Sequence, residues 1–199
     1  DFNRILVNGK VFEAHLPKAA TASGRPPTKR MTFFDINLPE DTMEVYVSGV
    51  TNIHVKGGTA FQLRMCFEAM PDAVHVDDNH LPLMCHRGVT RVCLDAAVYD
   101  CDIMETWLTL TVPENKLRRL QISGVRNDVE IANLLLEGCA MEIHSTGAQK
   151  IVLESVSGMD SVLLSTIDGA IEMNDVMVGD SGLLEVTTGS GCITTSGGP

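Results

Sequence analysis

The sequence predicts an all-β protein whose second half is a single-stranded β-helix, and three observations carry that prediction. A unit of about 21 residues recurs from Leu120 onward: Leu120-Gln121-Ile122, Met141-Glu142-Ile143, Val162-Leu163-Leu164 and Leu184-Glu185-Val186 begin 21, 21 and 22 residues apart. A second series interleaves with it: Val129-Glu130-Ile131, Ile151-Val152-Leu153, Ile171-Glu172-Met173 and Ile193-Thr194-Thr195. Elsewhere apolar residues alternate with polar ones over short runs, and windows with helical spacing are almost absent. A fixed period in this range is the mark of a solenoid, in which each unit buries its apolar face against the next.

The first half reads as short strands. Ile5-Leu6-Val7 and Lys10-Val11-Phe12 flank Asn8-Gly9, the signature of a two-residue hairpin turn. Residues 17–30 hold Pro17, Gly24, Pro26 and Pro27 among Lys18, Arg25, Lys29 and Arg30, a basic loop expected to be mobile. Strand runs follow at Met43–Val47, Ile53–Val55, Phe61–Phe67, Val74–Val76, Val89–Leu94 and Trp107–Val112. Pro113-Glu114-Asn115 separates this irregular β region, 1–113, from the regular β-helix, 114–199, which is expected to continue directly from it.

Each coil of the second half has two marked corners. Hydroxyl residues and glycine mark the first, in Ser145-Thr146-Gly147, Thr166-Ile167-Asp168-Gly169 and Thr187-Thr188-Gly189. The second reads apolar, any, Asn/Ser/Asp, apolar, in Ile131–Leu134, Leu153–Val156 and Met173–Val176. A short polar side chain suits such a bend because it can hydrogen-bond its own backbone. Between corners, alternation sends Ile, Leu, Val and Met inward and Glu or Thr outward. A flat antiparallel sandwich would also use short strands, but it gives no reason for corner chemistry to repeat at a fixed period.

Leu108-Thr109-Leu110-Thr111-Val112-Pro113, then Leu120-Gln121-Ile122-Ser123-Gly124, then the Ser/Thr–Gly turns before Ile-x-Met strands, resemble the adhesin-like β-helix family of bacterial envelope proteins and scattered eukaryotic members. The likeness is best over residues 107–199. It implies a right-handed β-helix and a structural, adhesive or envelope-stress role, and it carries no catalytic residues to transfer.

Composition removes several function classes. Of the net charge of −11, the stretch from Leu120 onward holds eleven acids against Arg126 and Lys150. Such a surface has too few cations to bind a phosphate backbone, so nucleic acid is not an expected partner. No run approaches the length of a membrane-spanning apolar helix, which leaves a membrane-associated assembly open but not a span in this segment. The six cysteines form no C-x-x-C pair, and Cys85, Cys93 and Cys101 recur every eight residues, a spacing that could bring them together across neighbouring strands.

His75, Asp77 and His80 are the nearest thing to a metal-ligand set, with Cys85-His86 beyond. Zinc accepts such ligands, but the spacing matches no established site and Asp77-Asp78-Asn79 is ordinary turn chemistry. No cofactor is assigned. Gly179-Asp180-Ser181-Gly182 has the look of a serine-protease nucleophile segment but lacks any accompanying base motif. Outward Glu142, Glu172 and Glu185 offer the carboxylates of a glycosidase, yet no aromatic residue follows Trp107 to stack a sugar.

The expected function is therefore a non-catalytic structural or interaction module, an accessory or scaffold subunit of a larger assembly or a surface scaffold. The alternative is an adhesin-type ligand- or glycan-binding β-helix, with an exposed apolar patch near Phe61, Phe67 and Trp107. A carbohydrate-active enzyme comes third. A protein partner is expected along the ladder faces or at the last coil, where Ser196-Gly197-Gly198-Pro199 brings no capping helix and the strand edge is left to further chain or a partner. The compartment stays open between a cell envelope or surface and a eukaryotic organelle.

Overall fold

The computed structural model describes residues 4–7, 10–13, 30–69, 83–93, 103–147 and 150–197, and among them the protein is all-β, without a helix. The strands are β1 (Arg4–Val7), β2 (Lys10–Glu13), β3 (Arg30–Asn37), β4 (Glu44–Ser48), β5 (Asn52–Gly58), β6 (Gln62–Ala69), β7 (Leu83–His86) and β8 (Val89–Cys93). They continue as β9 (Ile103–Pro113), β10 (Arg119–Val125), β11 (Asp128–Leu135), β12 (Ala140–Ser145), β13 (Lys150–Thr166), β14 (Ala170–Thr188) and β15 (Ile193–Ser196).

All fifteen join in one curled sheet. On one side β8, β4, β10, β12 and the later residues of β13 and β14 lie parallel; on the other, β9, β5, β11, the earlier residues of β13 and β14, and β15 do the same. The long strands β13 and β14 belong to both sides, and register shifts around Met159 mark where their pairing turns from one side to the other. Leu120 registers with Met141, Met141 with Val162, and Val162 with Leu184. On the other side Val129, Ile151, Ile171 and Ile193 are successive rung-mates. Residues spaced by the period read from the sequence therefore sit side by side.

Alternation does what it should. In β12, Met141, Ile143 and Ser145 are buried while Ala140, Glu142 and His144 are partly exposed. Burying each such aliphatic side chain stabilises by about 1.5–3 kcal/mol. One continuous apolar core runs from Leu38, Val45 and Val55 to Ile171 and Met173, so it crosses Pro113 without a break. The strands of the first half reach that core by pairing with the second: Val45 registers with Leu120, and Val55 with Ile131.

Antiparallel strands finish the opposite end. β6 pairs β9, and β3 pairs β6, with Asp35 and Arg64 facing each other at 2.7 Å. β7 and β8 form a tight hairpin through Arg87 and Gly88, both at positive φ (50° and 77°), the backbone a two-residue turn of this kind requires. β1 and β2 pair antiparallel with Val7 opposite Lys10, as the hairpin reading expects, and β1 extends alongside β7. Residues 17–29 of the basic loop and the Val74–Val76 run lie outside the described residues.

Both corners have a physical basis. Asn133, Ser155 and Asp175, the three residues singled out at the second corner, hold φ of 54°, 52° and 54°. This left-handed backbone is tolerated by short polar residues and disfavoured for branched ones. At the first corner the hydroxyls hold the turn. Ser145 donates to the Val125 carbonyl at 2.7 Å, the Gly169 amide donates to Thr166 Oγ1 at 3.2 Å, and the Gly191 amide to Thr188 Oγ1 at 3.0 Å.

Candidate functional site

The last strands of the sheet differ from those paired beneath them. β15 pairs only β14, and the later part of β14, Leu183–Thr188, pairs only β13, so among the described residues both segments present a free strand edge. Side chains whose rung-mates on the preceding strands are interior stand open there. Leu120, Met141 and Val162 are 0–1% exposed, whereas their rung-mate Leu184 is 43% exposed. Val129, Ile151 and Ile171 are fully buried, and Ile193 is 45% exposed. Val186, which registers with the buried Leu164, is half-buried.

Around this edge the apolar exposure continues. Leu183 is 61% exposed at an outward position, and Ile167 and Met177 are also well exposed. A partner covering Leu184, Ile193 and the rest of Val186 would gain from apolar burial about half of the 1.5–3 kcal/mol that full burial of each side chain is worth, since each is already more than half buried. It would also pair the edge's unpaired amides and carbonyls. The residues expected to form an apolar patch in the first half differ in exposure. Phe61 is buried in the core, Trp107 is exposed on β9, and the side chain of Phe67 lies outside what is described.

Electrostatics grade toward the same end. Arg119 and Glu142 pair at 2.6 Å, and Lys150 and Glu172 at 2.8 Å, each bond joining adjacent rungs. The hydrogen bond to Glu172 is the chief reason the Lys150 ammonium is held above its ordinary pKa, with Asp128 and Glu130 adding to it. Beyond Lys150 the chain has seven carboxylates and no Lys, Arg or His. Asp168, Asp175, Asp180 and Glu185 are exposed there, Asp168 accepting a hydrogen bond from Ser190 at 2.9 Å.

Chemistry elsewhere is sparse. On the outer face of β4 and β8, Arg91 lies 5.0 Å above the Tyr46 ring, while the Tyr46 hydroxyl donates to Glu44 at 2.7 Å and is itself pushed to a higher pKa by that bond. With Ser48, Cys93, Gln121 and Ser123 they line a shallow hollow of about 450 Å³. His144 Nδ1 and Ser165 Oγ meet at 2.8 Å because they are rung-mates. Sequence reading did not single out this pair, although the 21-residue spacing was the signal that would have found it. Ser181, of the Gly-Asp-Ser-Gly run, is exposed on β14.

His75, Asp77 and His80 lie outside the described residues. Among those described, no group of three or more His, Cys, Asp or Glu is placed to hold a metal ion. Nor is any helix long and apolar enough to cross a membrane. Cys85 registers with Thr90, whose hydroxyl lies 3.5 Å from its sulfur, rather than with Cys93.

No family model and no curated protein matches the sequence. Three solved structures resemble the chain at low identity. A "putative cell adhesion protein" from Clostridium sporogenes is 7% identical with a TM-score of 0.49, covering 84% of this chain and 99% of its own. A "putative adhesin" from Bacteroides fragilis is 13% identical with a TM-score of 0.34, covering 87% and 99%. Another from Parabacteroides distasonis is 14% identical with a TM-score of 0.28, covering 84% and 79%. At these values the likenesses assign this chain no role.

Proposed function

We propose that the chain is an adhesin-type binding module: a right-handed β-helix of about 21-residue coils that holds a protein partner at its last coil and catalyses nothing. The handedness rests on the general rule that crossovers between parallel strands of one sheet are right-handed in about 98% of cases. The observation that carries the binding role is the exposure of Leu184 and Ile193 at rungs whose other members are buried. An accessory or scaffold subunit would use the same edge in the same way.

The non-catalytic part of the reading has its own support. A serine nucleophile needs a base, a group that orients the base, and donors for the developing oxyanion. The His144–Ser165 contact supplies only the serine and a base, on a ladder face partly open to water. The outward glutamates Glu142 and Glu172 are engaged by Arg119 and Lys150 of adjacent rungs, the arrangement of a solvated ladder face.

The test is co-purification of the full chain from its native source, wild type against a Leu184→Asp, Ile193→Asp double variant. We expect a stoichiometric protein companion that the double variant loses while remaining folded. A companion retained by the double variant sinks the docking edge. Turnover of a glycan by wild type that vanishes when Glu142, Glu172 and Glu185 are all changed to Gln sinks the non-catalytic reading.

A further inference from the structure

We infer that the hollow on the outer face of β4, β8 and β10 binds an acidic sugar, with the Arg91 guanidinium taking its carboxylate. The three strands are each paired on both sides, so the hollow lies within the sheet and depends on none of its edges. Register builds it. Arg91, Tyr46 and Gln121 are rung-mates, and two residues further along the same strands Cys93, Ser48 and Ser123 are rung-mates too. Three long side chains therefore stand beside three short ones on one face, and the step between them leaves the hollow of about 450 Å³. That volume falls within the roughly 300–1,000 Å³ of small-molecule sites.

The polar lining specifies what fits. Among the described residues that line the hollow, Arg91 alone is charged; Gln121 adds an amide, and Ser48 and Ser123 add hydroxyls. Nearby carboxylates are engaged elsewhere, Glu44 accepting from the Tyr46 hydroxyl at 2.7 Å and Glu142 holding Arg119 at 2.6 Å. Arg91 makes no ion pair with a described residue, and its guanidinium lies 5.0 Å above the Tyr46 ring. A guanidinium set against an aromatic face keeps its N–H edge available, and that planar fork matches a carboxylate through two parallel hydrogen bonds. Gln121, Ser48 and Ser123 both donate and accept, the pairing that the hydroxyls of a sugar ring require. A bare carboxylate would leave those groups to water. The chain's net charge of −11 does not forbid an anion here, because salt at about 0.1 M screens charges more than about 10 Å away.

The experiment uses the full chain, with affinity read by titration calorimetry and the site mapped by the amide NMR shifts of Ser48, Cys93 and Ser123. Four probes separate the sources of the chemistry: methyl glucuronide, its neutral counterpart methyl glucoside, acetate and inorganic phosphate. We expect methyl glucuronide to bind at least about tenfold more tightly than each of the other three, and to move those amides. Arg91→Gln, at an exposed position, should weaken it at least about tenfold at unchanged Tm. Ser123→Leu, which fills the hollow and leaves the guanidinium in place, should abolish binding.

Acetate bound as tightly as methyl glucuronide overturns the inference, because the hollow then takes any carboxylate. Phosphate bound more tightly overturns it in favour of a phosphate group. Equal affinity for the glucuronide and the glucoside overturns it, as does an affinity that Arg91→Gln leaves unchanged. Wild-type chain that binds no methyl glucuronide at millimolar concentration overturns it too. The Leu184→Asp, Ile193→Asp double variant should bind methyl glucuronide as wild type does, so the hollow and the docking edge stand or fall separately.

Discussion

β12 with the earlier residues of β13, and the later residues of β14 with β15, carry the same residue types on the same rungs, yet one set is dry and the other wet. Met141 and Ile151 are fully buried; their rung-mates Leu184 and Ile193 are nearly half exposed. What differs is the presence of a neighbour on the second side. Burial in this sheet is thus a property of position along it, and a residue's contribution to stability should follow its place among the strands rather than its identity. The largest test follows directly. Ile143→Asp puts an unpaired carboxylate in the core and should cost more than about 4 kcal/mol in urea denaturation, or prevent folding. Ile193→Asp should cost under about 0.5 kcal/mol. Similar costs would mean that the last coil is covered in solution, and the comparison would break.

Cysteines offer the same contrast with a pH readout. Cys139 is buried below Asp160, and burial pushes its thiol from 9.0 up to about 12, only partly offset by a backbone hydrogen bond from Leu120. Cys192, in the last coil, is exposed. The folded state keeps the Cys139 proton at pH values where the unfolded chain has lost it. Its contribution to stability is therefore complete below pH 9 and declines as pH rises from 9 toward 12, with a slope approaching about 1.4 kcal/mol per pH unit. Cys139→Ala should flatten that decline, as read by denaturation at successive pH values. Iodoacetamide at pH 8.5 should alkylate Cys192 while Cys139 stays protected until the chain unfolds.

Backbone strain should ignore the contrast, which sharpens it. Ser155 lies in the middle of the stack and Asp175 near its end, yet both hold φ near 53°, at 52° and 54°. A β-branched residue in that conformation costs about 1–2 kcal/mol wherever it sits, because the clash is with its own backbone. Ser155→Val and Asp175→Val should lower stability by similar amounts, and Ser155→Gly should be close to neutral. If the Asp175 variant were free of cost, the last corner would be relaxing in a way the middle one cannot.

These corners were legible in the sequence because each recurs at the coil spacing, so Asn133, Ser155 and Asp175 announced one another. The interior residues of the second half were legible for the same reason. The first half was not, and the registers show why. Val45 lies beside Leu120 and Val55 beside Ile131, but the chain between each pair carries β6 to β9, so no fixed period links the rung-mates. Nor does anything local foretell that β6 and β3 close their end antiparallel, a choice made by pairing partners far apart in the chain. Phe61 misled for a related reason. An aromatic residue at a strand's mouth reads alike whether it caps the core or faces water. At the candidate site Leu184 and Ile193 were legible as interior-type residues by their spacing, whereas their exposure and the His144–Ser165 contact needed the register.

The smallest difference concerns the first-corner hydroxyls, where coil position should matter by about 1 kcal/mol. Thr166 is buried and accepts the Gly169 amide; Thr188, half-buried, accepts the Gly191 amide and donates to the Gly169 carbonyl at 3.0 Å. Valine keeps the shape of threonine and removes the hydroxyl. In the buried corner the Gly169 amide would lose its acceptor with no water to replace it, a cost of about 1–2 kcal/mol. In the last corner water can reach the Gly191 amide, so Thr188→Val should cost about 0.5 kcal/mol although it removes two hydrogen bonds instead of one. Hydrogen exchange should agree, with the Gly169 amide protected in wild type and fast in Thr166→Val, and the Gly191 amide fast in both forms. A larger penalty at Thr188 than at Thr166 would reverse the order that exposure predicts and would place the last corner inside a covered interface.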